Sequence, residues 1–378
     1  MPLINRCGGG GGTPQLCGQV ENFKVIPGTT ALTAALTWTT PDHDEDNSFV
    51  GTRIVRKAGS APTGINDGTV VYEGTTLSYT DTGLTSGTTY YYRAFAYNAK
   101  KKYQTAMRVI SFAAISYDTT LANNSWATIH ELSEKGYAKS IWSVGDIKPV
   151  TIDGVIKASN GSNNYTYTYD NCTIDAFILG FNHNAAKEGN NLIHFMLGKK
   201  TGKDVAIINC SFGSGSYPNW KNEKSRTITL GGDSTPSNPT ANSLLAALPA
   251  DLRAVMKAVK KYYAHDPVTS DREVLYAEDY LSFPGAIELG GGYEPSIMRN
   301  YETEYDYFKA GNSVRPVYEL YESGTLSSNS VEYHTRSTGE VSGKWSYTLY
   351  ITTASDRGPV WYDSDLSQAC CCRPIFFV

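Results

Sequence analysis

A strictly alternating stretch at residues 84–98 constrains the fold of this 378-residue chain more than any other feature. Tyr90, Tyr92, Ala94 and Ala96 occupy every second position, so a β-strand would place all four side chains on one face. We predict that this face is directed into a core.

Three shorter alternating stretches precede it, at 23–25, 34–38 and 53–57, and turn-rich connections separate them. Short strands at this spacing are typical of an antiparallel β-sandwich. Trp38 ends the second of these stretches, and Pro41 lies in the connection that follows it.

Together these features resemble fibronectin type III domains, in which a core Trp on the second strand precedes a proline-containing loop. Trp38 and Pro41 match that strand and loop, and 84–98 matches the sixth strand, with Tyr90 at the tyrosine corner. The resemblance implies a fibronectin type III-like, that is immunoglobulin-like, β-sandwich over residues 19–116.

The composition favours β structure in the rest of the chain as well. Charged residues make up 19%, whereas Tyr (27) and Gly (35) are abundant among long Thr, Ser and Asn runs. Many short strands joined by polar turns are typical of such a composition. We therefore expect a mainly β protein.

Charge and hydropathy exclude several classes of partner. The net charge is −4 without a basic stripe, so we expect no nucleic-acid partner. No apolar run approaches the roughly 20 residues needed to cross a bilayer, so we expect no membrane insertion. The first six residues lack the pattern of a secretory signal, which predicts assembly in a cytoplasm without export by the general route.

The remaining chain alternates between helical and strand patterns. Helical spacing of Trp126, Ile129 and Leu132, ended by Gly136, predicts a connecting helix within 117–139. Apolar runs at 109–115, 176–180 and 193–197 predict strands.

Two further helices are expected later in the chain. Residues 243–263 carry Pro249 at a first-turn position and then one apolar stripe, which predicts a long helix. The stripe consists of Leu252, Val255, Met256, Val259, Tyr262 and Tyr263. Tyr301, Tyr305 and Phe308, followed by Gly311, predict a short second helix.

Five segments share a second resemblance through their order and spacing: 142–146, 244–255, 304–313, 335–337 and 373–378. They resemble a domain of unknown function at the C-terminus of many bacteriophage and prophage tail proteins. Its fold is similar to the C-type-lectin-like domain shared with formylglycine-generating enzyme. The resemblance implies such an α+β domain over 140–378. Residues 1–18 contain the run Gly8 to Gly12, and we expect this Gly-rich segment to dock against neighbouring chains in an assembly.

This sequence departs from the family pattern at two places. A Trp usually stands shortly before the Arg-Ser pair, whereas here residues 332–335 read Glu-Tyr-His-Thr. The run Cys370 to Cys372 is also unusual for the family.

The aromatic-rich stretch 345–365 is the predicted ligand-binding surface. Tyr, Trp, Ser and Asp are the composition of adaptable recognition surfaces, although such aromatics also fill ordinary strand faces. The candidate residues are Trp345, Tyr347, Tyr350, Asp356, Arg357, Trp361, Tyr362, Asp363 and Asp365.

Possible metal sites carry less weight. Carboxylates alternate from Asp42 to Asn47 and could ligate calcium, but the loop lacks the required Gly and final Glu, so a solvated acidic loop is favoured. Glu294-Pro295-Ser296 resembles the Glu-Pro-Asn of sugar-binding lectins, with Ser in place of the amide.

Two further sets of residues could carry metal or thiol chemistry. His183, His194 and Cys210 could converge on a metal, but ordinary core positions are favoured because their spacing matches no known ligand pattern. The seven cysteines include no Cys-x-x-Cys pair, so we expect neither a disulfide framework nor a zinc ribbon. Buried packing is the expected role of Cys370 to Cys372.

Catalytic patterns are weak. Gly232-Asp233-Ser234 suggests a hydrolase nucleophile, but no Asp-x-x-His follows it. No motif singles out a pair of carboxylates for cell-wall hydrolysis. We therefore expect no enzyme activity and no cofactor.

The second resemblance implies a non-enzymatic bacteriophage virion protein that is associated with the tail and adheres to the host surface. Its expected partners are other tail proteins, copies of itself, and a bacterial surface glycan or protein. A purely structural tail or capsid decoration protein is the alternative, and a cell-wall or polysaccharide hydrolase is a weaker one.

Overall fold

In the computed structural model, the chain is described over residues 18–43, 48–104, 108–160, 163–210, 220–265, 273–291, 296–314, 318–320, 326–327, 335–337, 339–341, 344–346 and 370–378. It divides into two compact units, here called unit 1 (Met1–Thr119) and unit 2 (Thr120–Val378). Among the described residues, no helix is both long and apolar enough to cross a bilayer.

Unit 1 is a β-sandwich of two antiparallel sheets. The three-stranded sheet has the order β1-β2-β5, and the four-stranded sheet has the order β4-β3-β6-β7. The strands are β1 Glu21–Pro27, β2 Ala34–Thr39, β3 Gly51–Ala58, β4 Thr69–Gly74, β5 Ser78–Asp81, β6 Thr89–Tyr97 and β7 Val109–Ala113.

Alternation explains why these segments form strands, since every second side chain of β1 and β2 is buried. Phe23, Trp38 and Tyr72 pack edge-on or tilted in the core between the sheets. On β6, Tyr90, Tyr92, Ala94 and Ala96 are all buried, and this confirms the predicted core strand.

Tyr90 also forms the predicted tyrosine corner. Its hydroxyl accepts a hydrogen bond of 3.1 Å from the backbone N–H of Thr85, five residues upstream. Strand order, buried Trp38 and tyrosine corner together identify unit 1 as a fibronectin type III-like domain.

Unit 2 is also mainly β, with short helices. Its strands are β8 Ile147–Asn160, β9 Asn163–Phe181, β10 Ile193–Lys200, β11 Lys203–Cys210, β12 Val259–His265, β13 Glu273–Asp279, β14 Leu281–Ser282, β15 Tyr318–Leu320, β16 Leu326–Ser327, β17 Gly339–Val341, β18 Lys344–Ser346, β19 Cys370–Cys372 and β20 Ile375–Phe377.

The helices of unit 2 are α1 Trp126–Glu134, α2 Ala138–Ile141, α3 Ala185–Glu188, α4 Leu244–Ala247, α5 Ala250–Arg253 and α6 Asp306–Lys309. Short 3₁₀ turns cover Leu121–Asn123, Trp220–Asn222, Ile287–Leu289 and Ser296–Asn300, and a π-helical turn covers Ser225–Leu230.

The central sheet of unit 2 is built around β10, which pairs antiparallel with β9, β11 and β20. β8 and β9 form a long hairpin at one side, and β14 pairs with β20. Side chains of β9, β10 and β20 pack with those of α6 in one apolar core.

The predicted helix near residue 126 is confirmed as α1. Ser125 caps it by accepting a hydrogen bond from the N–H of Thr128, and Gly136 follows its end with φ of +71°. Trp126 packs edge-on against Phe195 of β10 and Phe376 of β20, so α1 lies on the sheet of unit 2.

The predicted long helix over 243–263 is wrong. Only α4 and α5 are helical, and Pro249 separates them as the N-cap of α5. From Val259 the chain forms β12 because Val259, Lys261 and Tyr263 bury one strand face against the core, and β12 pairs with β13. The apolar pattern of 259–263 fits both the helical period of about 3.6 residues and the strand period of two, and pairing with β13 decides between them.

The second predicted helix is shorter than its pattern. α6 begins at Asp306, and Tyr301 follows the 3₁₀ turn Ser296–Asn300. Tyr305 is the extended N-cap of α6, and Gly311 follows the helix with φ of +84°.

Candidate functional site

Most of the predicted ligand surface lies outside the described residues. Trp345 is placed in β18, where its backbone pairs with Glu340 of β17. The others, which the structure does not describe, are Tyr347, Tyr350, Asp356, Arg357, Trp361, Tyr362, Asp363 and Asp365.

The described strands fix both ends of the segment 321–369 that contains this surface. β15, which ends at Leu320, pairs parallel with β11, and β19, which begins at Cys370, pairs antiparallel with β11. Strands β15 and β19 therefore flank β11 at the two ends of this segment, and β16 within it pairs with β15.

A third attachment point lies within the segment, at residues 335–337. Arg336 is buried and its Nη1 donates to Glu288 Oε2 at 2.7 Å, while its Nη2 donates to Glu302. Ser337 Oγ accepts a hydrogen bond of 2.6 Å from the N–H of Ala286. The predicted surface thus follows a firmly held anchor.

Arg336 belongs to a larger polar cluster inside unit 2, which we call the buried cluster. It is assembled from α3, β10, β12, the turn Ile287–Leu289 and the N-cap of α6. Its members are His183, Glu188, His194, Lys261, Glu288, Glu302, Tyr305 and Arg336, and all are buried.

Lys261 lies at the centre of this cluster. Its Nζ donates to Glu188 Oε1 and to Glu288 Oε1, each at 2.9 Å, and to the Tyr305 hydroxyl at 3.1 Å. All three donor positions of the ammonium are used, as burial of a charge requires.

Two histidines complete the cluster. The His183 ring stacks on Tyr305 with ring centroids 3.8 Å apart, and its Nε2 lies 3.8 Å from Glu288 Oε1. His194 Nδ1 lies 3.2 Å from the Tyr305 hydroxyl and 3.7 Å from Glu188 Oε2.

Burial sets the protonation of these groups. It lowers the pKa of His183 to about 3 and that of His194 well below its usual value, so both rings are neutral at pH 7. Burial raises the pKa of Glu188 to about 7 against the opposing effect of Lys261. Burial also opposes ionisation of Glu288, but Arg336 and Lys261 together hold its pKa far below the usual range.

The arrangement serves as an internal clamp and also resembles a set of metal ligands. Ion pairs join α3, β12, the turn Ile287–Leu289 and the anchor at Arg336, so four separate segments are tied together. Nitrogen of His183 and oxygens of Glu188 and Glu288 lie within 4.8 Å of one another.

Convergence of His183, His194 and Cys210 was the disfavoured alternative in the sequence; the structure brings the two histidine rings within 5.5 Å of each other but not Cys210. Cys210 lies on β11, and its thiol interacts with Cys372. The partners of the two histidines are Glu188 and Glu288. No sequence pattern singled out these carboxylates or Lys261, since charged residues are normally exposed.

The thiols near the C-terminus are packed in the interior. Cys371 and Cys372 are buried, which agrees with the predicted packing role, and Cys372 Sγ donates to the carbonyl of Ile207 at 3.1 Å. Burial raises the pKa of Cys372 well above its usual value. A thiol in this state is a poor nucleophile.

The suspected nucleophile Ser234 has a structural role. Its Oγ donates to the carbonyl of Gly231 at 2.7 Å and accepts from the N–H of Thr240 at 2.9 Å. Neighbouring Asp233 accepts from Arg226, which also pairs with buried Asp279. These contacts hold a loop and place no general base at the hydroxyl.

Two other sequence candidates cannot be located. Residues 44–47 of the acidic loop, and Glu294 and Pro295 of the lectin-like tripeptide, lie outside the described residues. Ser296 begins the 3₁₀ turn Ser296–Asn300.

Several solved structures match between a quarter and a third of the chain. The chain resembles the sixth fibronectin type III domain of human fibronectin type III domain containing protein 3, with 20% identity over 29% of this chain and 95% of that one, and a TM-score of 0.23. A second structure of a fibronectin type III domain from human fibronectin type III domain containing protein 3 matches with 17% identity over 30% of this chain and 100% of that one, at a TM-score of 0.24.

A fibronectin domain of Drosophila Lar gives 19% identity over 26% of this chain and 98% of that one, at a TM-score of 0.19. No protein-family model and no curated protein matches the chain. The assignment of unit 1 therefore rests on its own strand order, core and tyrosine corner.

Proposed function

We propose that the protein is a non-enzymatic bacteriophage virion protein, associated with the tail, that binds the host surface through its C-terminal domain. In this proposal unit 1 is a spacer or decoration, and residues 345–365 contact a bacterial glycan or protein. Its other partners are tail proteins and copies of itself.

The observation that carries the proposal is the attachment of the segment 321–369. Leu320 ends β15 and Cys370 begins β19, and these two strands flank β11. Arg336 is held by two buried carboxylates. Binding loops are commonly presented in this way, because a rigid scaffold lowers the entropy lost when a ligand binds.

A C-type-lectin-like fold for residues 140–378 is part of the same proposal. The support is that β20, expected as the closing core strand, lies between β10 and β14 and buries Ile375, Phe376 and Phe377. A long segment rich in Tyr, Trp and Asp between two strands that both pair with β11 also suits a ligand-binding domain of this type.

The non-enzymatic part of the proposal is supported by the described titratable groups. In unit 2 the strongly shifted carboxylates and histidines are buried, and several are held in ion pairs with Arg or Lys. General acids and bases act in contact with a substrate, and in this proposal these buried groups instead tie together the interior of unit 2.

Binding to intact bacteria and to purified wall glycans tests the proposal. Fluorescently labelled protein is applied to a panel of bacterial species, purified peptidoglycan and surface polysaccharides, and bound label is measured. We expect saturable binding to a subset of the panel. Absence of binding to every surface, with the protein presented multivalently, would favour the structural alternative.

The same samples separate binding from hydrolysis. A hydrolase would release soluble fragments from peptidoglycan or polysaccharide during incubation, whereas the proposed adhesin leaves the polymer intact. Release of reducing sugars or peptides above the buffer control would overturn the non-enzymatic assignment.

A further inference from the structure

We propose that the buried cluster of unit 2 binds one divalent transition-metal ion, with Zn²⁺ the best fit, through His183, Glu188 and Glu288. Their potential ligand atoms lie within 4.8 Å of one another. The test of this site does not involve host binding, so either proposal can fail without the other.

Unpaired polar atoms inside the cluster point to a missing partner. His183 Nε2, Glu188 Oε2 and His194 Nε2 are buried and form no hydrogen bond within the described part of the chain. Buried polar atoms nearly always have a partner, and an ion or an ordered water is the usual explanation when the protein offers none.

The balance of charge favours a cation over a water molecule. Glu188, Glu288 and Glu302 contribute three carboxylates, whereas Lys261 and Arg336 contribute two positive charges. Glu188 Oε2 lies 3.7 Å from His194 Nδ1 and has no hydrogen-bond donor among the described residues, so Glu188 is the carboxylate whose ionised form a cation would stabilise most. A buried carboxylate in this position is stabilised by a bound cation.

The donor atoms select the kind of metal. One neutral imidazole and two carboxylates suit Zn²⁺ and its neighbours, whereas Ca²⁺ and Mg²⁺ favour oxygen ligands alone. Around a tetrahedral ion with bonds of about 2.0–2.1 Å, ligand atoms lie roughly 3.4 Å apart. His183 Nε2 and Glu288 Oε1 are already 3.8 Å apart, so small side-chain movements suffice for this pair.

Neighbouring contacts orient two of the ligands. Arg336 and the N–H of Gly285 hold Glu288 Oε2, which leaves Oε1 directed at Lys261 and His183. Lys261 holds Glu188 Oε1, so Oε2 is the oxygen left for the metal. Such outer contacts are typical of metal sites. The nearby ammonium of Lys261 weakens the affinity, because it repels a dication.

Metal analysis of tag-free full-length protein tests the site. Protein is purified from zinc-supplemented medium, and its metal content is measured by inductively coupled plasma mass spectrometry. A second sample is unfolded with a chelator and refolded, because the site is buried, and is then titrated with Zn²⁺ and with Co²⁺. We expect one equivalent per chain and a Co²⁺ absorption band of low coordination number.

Glu188→Gln is the main variant, because the amide keeps the size of the side chain and an acceptor for Lys261. His183→Ala is the second, and His130→Ala, on α1 of the same unit, is the matched control. We expect at least tenfold weaker Zn²⁺ binding in the first two and none of this loss in the control. Near-ultraviolet circular dichroism shows whether each variant is folded.

Two results would overturn the proposal. One is natively purified protein without stoichiometric metal that also fails to bind Zn²⁺ or Co²⁺ after refolding. The other is unchanged binding in folded Glu188→Gln and His183→Ala, which would place the metal elsewhere. If neither variant folds, the metal content and Co²⁺ spectrum of the unaltered chain still decide whether an imidazole–carboxylate site exists.

Discussion

Arg336 and Glu288 form a buried ion pair in which Nη1 of the arginine lies 2.7 Å from Oε2 of the carboxylate. Their side chains are 1% and 0% exposed. Since Glu288 also binds Lys261, the pair connects the segment that follows β16 to the core strand β12. The stability of unit 2 and the presentation of residues 345–365 are therefore expected to depend on the same contact.

Arg336→Ala tests this dependence. The change leaves Glu288 and Glu302 facing less positive charge in the interior, which typically costs about 3–5 kcal/mol. We expect a matching loss in the free energy of unfolding of unit 2, measured by hydrogen exchange of peptides from β12 and β20. Arg299→Ala, which alters an exposed arginine of the same unit, should change it by less than about 0.5 kcal/mol. Equal effects of the two changes would contradict the anchoring role.

In unit 1 the equivalent test concerns Tyr92. Its hydroxyl donates to buried Asp81 Oδ2 at 2.8 Å, and Arg56 Nη1 contacts both oxygens of that carboxylate at 2.8–2.9 Å. Tyr92→Phe removes one hydrogen bond to a charged group, which is worth about 1.5–3 kcal/mol. We expect amide exchange in β6 to accelerate roughly tenfold to a hundredfold, at 1.4 kcal/mol per factor of ten.

Tyr91→Phe is the control for that experiment, because Tyr91 points to the opposite face of β6. Its exchange rates should match those of the unaltered chain. If Tyr92→Phe also left the exchange rates unchanged, the Tyr92–Asp81 hydrogen bond would contribute little to the stability of the sandwich.

Glu223 gives unit 2 a dependence on pH. Burial raises the pKa of this carboxyl from 4.5 to about 8. The folded state therefore keeps a proton that the unfolded state releases between these values, so stability falls as pH rises from about 4.5 to 8 and then levels off. At about 1.4 kcal/mol per pKa unit, the loss amounts to a few kcal/mol.

Glu223→Gln removes this dependence, because the amide stays neutral. Urea unfolding of both proteins at pH 5, 7 and 9 should show a small difference at pH 5, most of the advantage of the variant at pH 7, and the full advantage at pH 9. Glu278→Gln, at an exposed position of β13, provides the comparison for loss of a surface carboxylate. A constant difference at all three pH values would mean that Glu223 is ionised in the folded protein.

Strict alternation made unit 1 predictable. Tyr90 to Ala96 fit only a period of two, and the Thr85–Tyr90 contact follows from their spacing. α1 was predictable for the same reason, since Trp126, Ile129 and Leu132 fit only the helical period. The pattern at 259–263 fits both the helical and the strand period, so the sequence alone could not decide between a helix and a strand. Pairing with β13 makes this segment a strand.

The buried cluster could not be predicted from the sequence. Glu188, Lys261, Glu288 and Arg336 are far apart along the chain, and each has the appearance of an ordinary surface charge. Only the packing of α3, β12 and the turn Ile287–Leu289 brings them together. The two histidines were noticed as residue types, but their spacing gave no means of choosing their carboxylate partners.

The double variant Trp345→Ala/Trp361→Ala tests the central claim most directly. Its binding is measured on the bacterial or glycan surface to which the unaltered chain binds. Tyr165→Ala, which removes an exposed aromatic on β9, is the matched control. We predict that the double variant stays folded and loses at least tenfold in affinity, whereas the control binds as before. Undiminished binding by the folded double variant would contradict the assignment of recognition to residues 345–365.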